Sequence, residues 1–176
     1  MTRSRLRSKL LVLTSALLAA AACDRSTPAE LSIPAPQHAV TVGSTLLECP
    51  TDQTKSVTGT IDILGGTLTL DGHSISLPAG AVLLPTTFTL TVPASNYMAI
   101  SITANGQHSF QFEKAVSVTI SYQRCSRSNI SKSDLTAWHY DSATNTLLEH
   151  MGGSDNKISR AVTFGTTHLS EYVLAN

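Results

Sequence analysis

The chain has 176 residues, enough for one domain of ordinary size with a remainder, and only 14% of them are charged against roughly a quarter in soluble domains. Its formal charge is zero, but Arg3, Arg5, Arg7 and Lys9 all precede the first acid, Asp24, so residues 23–176 carry 8 basic and 12 acidic groups, a net of −4. A mildly acidic body excludes a basic nucleic-acid binder, and 41% hydrophobic residues exclude a wholly disordered chain. The long apolar run lies at the N-terminus, and no later segment is apolar enough to span a bilayer as a helix.

Residues 2–9 form a basic segment and Leu10–Ala22 an apolar stretch of thirteen residues that ends in small side chains. The pattern predicts a signal peptide over residues 1–22, too short for a spanning helix. Cys23 follows at once, and the run LAAAAC resembles the lipobox of bacterial lipoproteins. That resemblance implies that the Cys23 thiol takes a diacylglycerol and that cleavage before it makes Cys23 the lipidated N-terminus. The alternative is an ordinary cleaved signal with Cys23 incidental or removed. Asp24 is similar to the inner-membrane retention signal of enteric lipoproteins. Residues 23–44 contain Pro28, Pro34 and Pro36 and sustain no hydrophobic period, which predicts a tether of up to about 70 Å when extended.

From Thr45 to Asn176 alternation at period 2 recurs, and one domain, residues 45–176, is expected. Ile61 and Ile63, Leu68 and Leu70, Ile75 and Leu77, then Phe88, Leu90 and Val92 each alternate with polar or non-matching neighbours. Ile100 and Ile102, then Val116, Val118, Ile120 and Tyr122, then Ile158, Arg160, Val162 and Phe164 continue the pattern. Such alternation places apolar side chains on one sheet face and Thr or Ser on the other. Asp71-Gly72 and Asn105-Gly106 are hairpin signals because both residue types tolerate positive φ. Gly65-Gly66, Pro78-Ala79-Gly80 and Gly152-Gly153 add turn punctuation, and only Ser131–Leu135 reads as a single helical turn. The expectation is an all-β fold, a single antiparallel β-sandwich after the signal and tether. Ile63, Leu70, Leu77, Leu90, Ile102, Val118, Ile120 and Phe164 are expected to be buried.

The segment GGTLTLDGHSISLPAGAVLLPTTFTLTV, Gly65 to Val92, resembles the opening of the ZU-five domain, a β-sandwich of ankyrins, tight-junction scaffolds and netrin receptors. Leu77-Pro78-Ala79-Gly80-Ala81 stands at the family's Ile-Pro-x-Gly-Ala motif. Trp138–Asp141 with Thr146–Glu149 is similar to a closing hairpin, and His168-Leu169-Ser170 is similar to the terminal His-Phe-Ser strand. The resemblance covers about residues 57–176 and implies a non-enzymatic interaction module. Some relatives cut their own chain between Phe and Ser of that motif. Carried over, Ser170 is the nucleophile, Leu169 supplies the carbonyl and His168 is a helper, but an intact chain is expected because Leu169 replaces the aromatic residue.

Cys49 and Cys125, the remaining cysteines, are expected to form one disulfide in an oxidising compartment; free thiols and a redox pair are the alternatives, and Cys-x-x-Cys is absent. Among six histidines, His38 lies in the tether, His73 and His108 beside turns, and His139 and His150 flank one hairpin. Pairing Asp141 with Thr146 sets His139 opposite Leu148, with His150 diagonal on the same face, but no third or fourth metal ligand is evident. Surface histidines, no metal and no cofactor are therefore expected. Asp71, Asp141 and Asp155 read as turn residues, and Trp138 as a core or core-edge residue with its N–H bonded. Gly-x-Ser-x-Gly and phosphate-binding loops are absent, so no catalysis is expected. The leading functional expectation is a membrane-anchored module facing the periplasm or cell surface, with a structural or protein-interaction role in the envelope. Autoprocessing and a small ligand- or carbohydrate-binding module are the alternatives.

Overall fold

The computed structural model describes residues 45–130 and 132–176. Thirteen strands run in chain order among them: β1 Glu48–Thr51, β2 Lys55–Ile61, β3 Gly66–Leu70, β4 His73–Leu77, β5 Thr86–Val92, β6 Ser95–Tyr97 and β7 Ala99–Ala104. They continue as β8 Gln111–Ser121, β9 Thr136–Asp141, β10 Thr146–Gly152, β11 Ser154–Asn156, β12 Ala161–His168 and β13 Glu171–Ala175. The helical element among the described residues is one 3-10 turn, Arg127–Asn129, four residues before the turn expected at Ser131–Leu135. Ser131 itself lies outside the described residues.

A six-stranded sheet, β10-β9-β13-β7-β5-β2, faces a five-stranded sheet, β11-β12-β8-β4-β3, and β1 pairs with β6 as a two-stranded ribbon. Every one of these pairings is antiparallel. The fold is the all-β sandwich that the alternation requires. Phe88, Leu90, Ile100, Ile102 and Leu174 of one sheet meet Ile75, Val118, Ile120, Val162 and Phe164 of the other in one buried core. The alternate residues explain the wealth of threonine. Thr58–Thr89, Thr60–Thr87, Thr67–Ser76 and Thr119–Thr163 join their hydroxyls across strands on the outer faces at 2.9–3.2 Å. A smaller cluster of Ala99, Tyr140 and Val173, with Trp138 and Leu147 at its edge, lies apart from this core. Trp138 is half-buried and its indole N–H donates to the Thr136 hydroxyl at 3.1 Å.

Ile63 departs from its expected burial. β2 stops at Ile61 because the Asp62 carboxylate accepts the Leu64 N–H and the Asp62 carbonyl accepts the Gly65 N–H. Ile63 is consequently 51% exposed in a turn, beside Leu64. Its carbonyl accepts the Gly80 N–H at 2.7 Å, which joins this turn to the loop carrying the exposed Leu83 and Leu84. Leu70 is only partly buried, and Ile158, counted in an alternating run, is almost fully exposed before β12 begins. The other six residues expected in the core are there.

Asp71-Gly72, with φ of 50° and 85°, closes the β3–β4 hairpin as expected. Asn105-Gly106 has the same geometry but closes only the bridge Ala104–Gln107, after which the chain crosses to the other sheet as β8. Cys49 of β1 is bonded to Cys125 in the turn after β8, and the Arg124 guanidinium donates to the Cys49 carbonyl at 2.8 Å.

Two polar residues read from sequence as surface or turn features are buried. His73 is 2% exposed in β4, its Nδ1 accepting the Ser121 N–H at 3.2 Å. The Asp155 carboxylate, 1% exposed, accepts from the Tyr122 hydroxyl at 2.6 Å, the Leu135 N–H at 2.9 Å and Lys157 Nζ at 2.7 Å. It bonds β11 to the segments on either side rather than making a turn.

Candidate functional site

The chemistry-bearing side chains converge where β12 leaves the five-stranded sheet and β13 enters the six-stranded one. Leu169 and Ser170 are the two residues of that crossing, 4% and 7% exposed. The Leu169 N–H donates to the Phe110 carbonyl at 3.0 Å, and the Ser170 carbonyl accepts the Ile102 N–H at 3.2 Å. The crossing is therefore bonded to β7 on one side and to the residue just before β8 on the other. His168, the last residue of β12, is held through its backbone. Its carbonyl accepts the Tyr172 hydroxyl at 2.6 Å and the Thr166 hydroxyl at 2.9 Å, and its N–H donates back to Thr166 Oγ1 at 3.2 Å. Burial pushes the Tyr172 hydroxyl up to about 12, so it stays protonated and donating.

The His168 imidazole meets Glu149 and His139. Its Nε2 lies 3.6 Å from Glu149 Oε2, and its ring centroid 6.0 Å from that of His139. One donor atom from each of His139, Glu149 and His168 falls within 4.8 Å of the others. Among the described residues no hydrogen bond joins the Ser170 hydroxyl to His168 or His139.

Strand geometry builds this cluster. His139 has the parity of the core residue Ala137, so it points between the sheets, and it is half-buried. It pairs with Tyr172 of β13 on one side and Glu149 of β10 on the other. The β9–β10 hairpin begins as expected, Thr146 opposite Asp141 and Leu147 opposite Tyr140, but its register then slips. Leu148 is bulged out, so Glu149 rather than Leu148 faces His139. His150 falls opposite Trp138 and packs on it with ring centroids 4.5 Å apart, outside the cluster. The sequence thus pointed to His139 with the wrong partner, and the bulge is the reason. No residue type at Leu148 announces it.

Burial holds the His139 imidazole below its ordinary value, and the neighbouring His168 adds to the effect. His139 and Ser170 also line a shallow depression of about 270 Å³ with His108, Asp141, Leu148 and Glu171. A second groove of about 380 Å³ lies between Pro93–Tyr97 and the β9–β10 turn, and Glu171 borders it too. The Glu171 carboxylate accepts the Ser142 N–H at 3.3 Å, which fixes the wall between the two hollows.

The other sequence candidates are scattered. His73 is enclosed in β4, and His108 is exposed in the loop before β8. Cys23 and His38 lie outside the described residues. No protein-family model matches the chain, and no curated protein matches it either.

Proposed function

We propose that the chain is an exported β-sandwich anchored to a membrane through a lipid on Cys23, facing the periplasm or cell surface, with a non-enzymatic structural or protein-interaction role in the envelope. The observation that carries this reading is the leader: a basic segment, an apolar stretch of thirteen residues, and LAAAAC ending at Cys23. The bond between Cys49 and Cys125 supports it, since structural disulfides persist in oxidising compartments and are rare in the cytosol. The ZU-five resemblance supports an interaction role. So do the turn of Ile63 and Leu64 and the loop of Leu83 and Leu84, which expose four large apolar side chains on adjoining segments. The partner in this reading is a protein of the same envelope.

Fractionation of cells carrying the parent or the Cys23→Ser chain tests the anchor. The parent should partition with membranes and incorporate labelled palmitate, and Cys23→Ser should do neither. Membrane retention of Cys23→Ser equal to the parent would refute the lipid anchor. Photo-crosslinkers at Leu64 and Leu84, with one at Thr58 on the outer face of β2 as control, test the interaction role. Adducts from Thr58 alone, or from none of the three, would refute the loops as the contact surface.

A further inference from the structure

The triad of His139, Glu149 and His168 is built in a way that surface clusters are not. Its members come from three strands, β9, β10 and β12, and so from both sheets of the sandwich. Two of the three positions are stiffened through the backbone. His139 sits mid-strand, laddered to β10 and β13, and the His168 peptide is clamped by Thr166 and Tyr172. The third ligand, Glu149, is exposed and free to adjust its carboxylate.

Two imidazoles and one carboxylate form a recognisable donor set. Imidazole nitrogen suits zinc and its first-row neighbours, whereas calcium and magnesium take oxygen ligands. Zinc bonds of about 2.0–2.2 Å at tetrahedral angles place donor atoms roughly 3.4 Å apart. The His168 Nε2–Glu149 Oε2 separation is already 3.6 Å. The widest separation in the triad is at most 4.8 Å, so zinc binding requires a closure of no more than about 1.4 Å. Three protein ligands leave one tetrahedral position open. Of the three, His139 also borders the depression that His108 and Ser170 line.

We propose that His139, Glu149 and His168 bind a first-row divalent transition-metal ion, zinc in the first instance, as a three-ligand site with an open fourth position at the mouth between the two sheets. Bound there, the ion links β9 and β10 to the end of β12 and so ties one sheet to the other. The exposed acids elsewhere on the surface do not compete for this role, because none brings two imidazoles to one point among the described residues. The site is independent of the lipid anchor and stands whether or not Cys23 is acylated.

The test uses the full chain without a histidine tag, purified in detergent, stripped with EDTA and dialysed against buffered zinc, with bound metal measured by atomic emission. The parent should retain one zinc ion per chain. His139→Ala and His168→Ala should each lose more than about tenfold in affinity, since the loss of even an outer-shell partner costs about ten- to a hundredfold. His150→Ala, which removes the ring packed on Trp138, should bind like the parent. Glu149→Gln changes an exposed side chain without disturbing the strands, so it keeps the test valid if a histidine variant misfolds, and it too should weaken zinc. Cobalt in place of zinc should give the intense visible bands of a four-coordinate ion in the parent and lose them in Glu149→Gln. No zinc retained by the folded parent would overturn the proposal. So would zinc binding unaltered by Glu149→Gln and by whichever histidine variants fold.

Discussion

His73 is a buried base whose neutral form the fold requires. Burial depresses its imidazole from 6.5 to about 4, the Arg124 guanidinium adds to the depression, and Asp71 opposes it. Between those two values the unfolded chain binds a proton that the folded chain refuses. Stability from this group is therefore complete above pH 6.5 and is lost as the pH falls toward 4, by about 3 kcal/mol in all. Urea unfolding measured at intervals from pH 7 to pH 4 should show that decline. His73→Asn, whose side-chain carbonyl can accept the Ser121 N–H, should flatten it. Asp155 acts in a lower window. Burial raises its carboxyl, but hydrogen bonds from Lys157, Tyr122 and the Leu135 N–H outweigh this and hold it below the ordinary 3.8. Its contribution is present above that value and lost only below it. Asp155→Ala strands the Tyr122 hydroxyl and the Leu135 N–H, and should cost about 2–3 kcal/mol at neutral pH in the same urea assay.

The turns that join the strands carry positive-φ glycines that differ in what surrounds them. Gly65, at φ 81°, lets the β2–β3 turn lie against the end of β4, and a Cβ there would stand 2.4 Å from the Leu77 carbonyl oxygen. Gly106 has a similar φ of 77° but nothing within 4 Å of its would-be Cβ. Gly106→Ala should thus cost only the conformational term, about 1–2 kcal/mol. Gly65→Ala must displace backbone as well and should cost measurably more, which differential scanning calorimetry of the two variants decides. This contrast also marks what the sequence reveals. Period-2 runs such as Phe88–Val92 and Val116–Ile120 declare both their strands and their buried faces, because each side chain's position follows from its neighbours. Asn105-Gly106 declares a turn but not that the chain then changes sheets, since local φ preferences say nothing about which strand comes next. The metal cluster was hidden for a related reason. His139 and His168 are 29 residues apart, and only the slip at Leu148 brings Glu149 between them. A bulge in one strand is a compromise with the packing of others, so it leaves no mark in local composition.

At the scale of the whole molecule the disulfide couples the ribbon to the sandwich. The β1–β6 ribbon is short, and an isolated two-stranded pair is marginal in water. The Met98 N–H extends it by donating to the Leu47 carbonyl at 2.9 Å, and it is tied to the rest by the Leu47 N–H to the Leu174 carbonyl at 2.9 Å, by Arg124 and Asn129 donating to the Cys49 and Glu48 carbonyls, and by the Cys49–Cys125 bond. The bond spans a sequence separation of 76, for which loop-closure entropy alone gives about 4 kcal/mol against the unfolded chain. The two large sheets have their own core without Cys49, so reduction should loosen one end of the molecule before it unfolds the rest. Alkylation of the native protein should leave Cys49 and Cys125 unmodified until reductant is added. After reduction, hydrogen exchange should accelerate first at Leu47 and Met98, while Val118, Ile120 and Leu90 in the central strands stay protected. Urea midpoints should fall to match a loss of several kcal/mol. A reduced protein whose Leu47 and Met98 amides exchange as slowly as before would show that packing, not the disulfide, holds the ribbon in place.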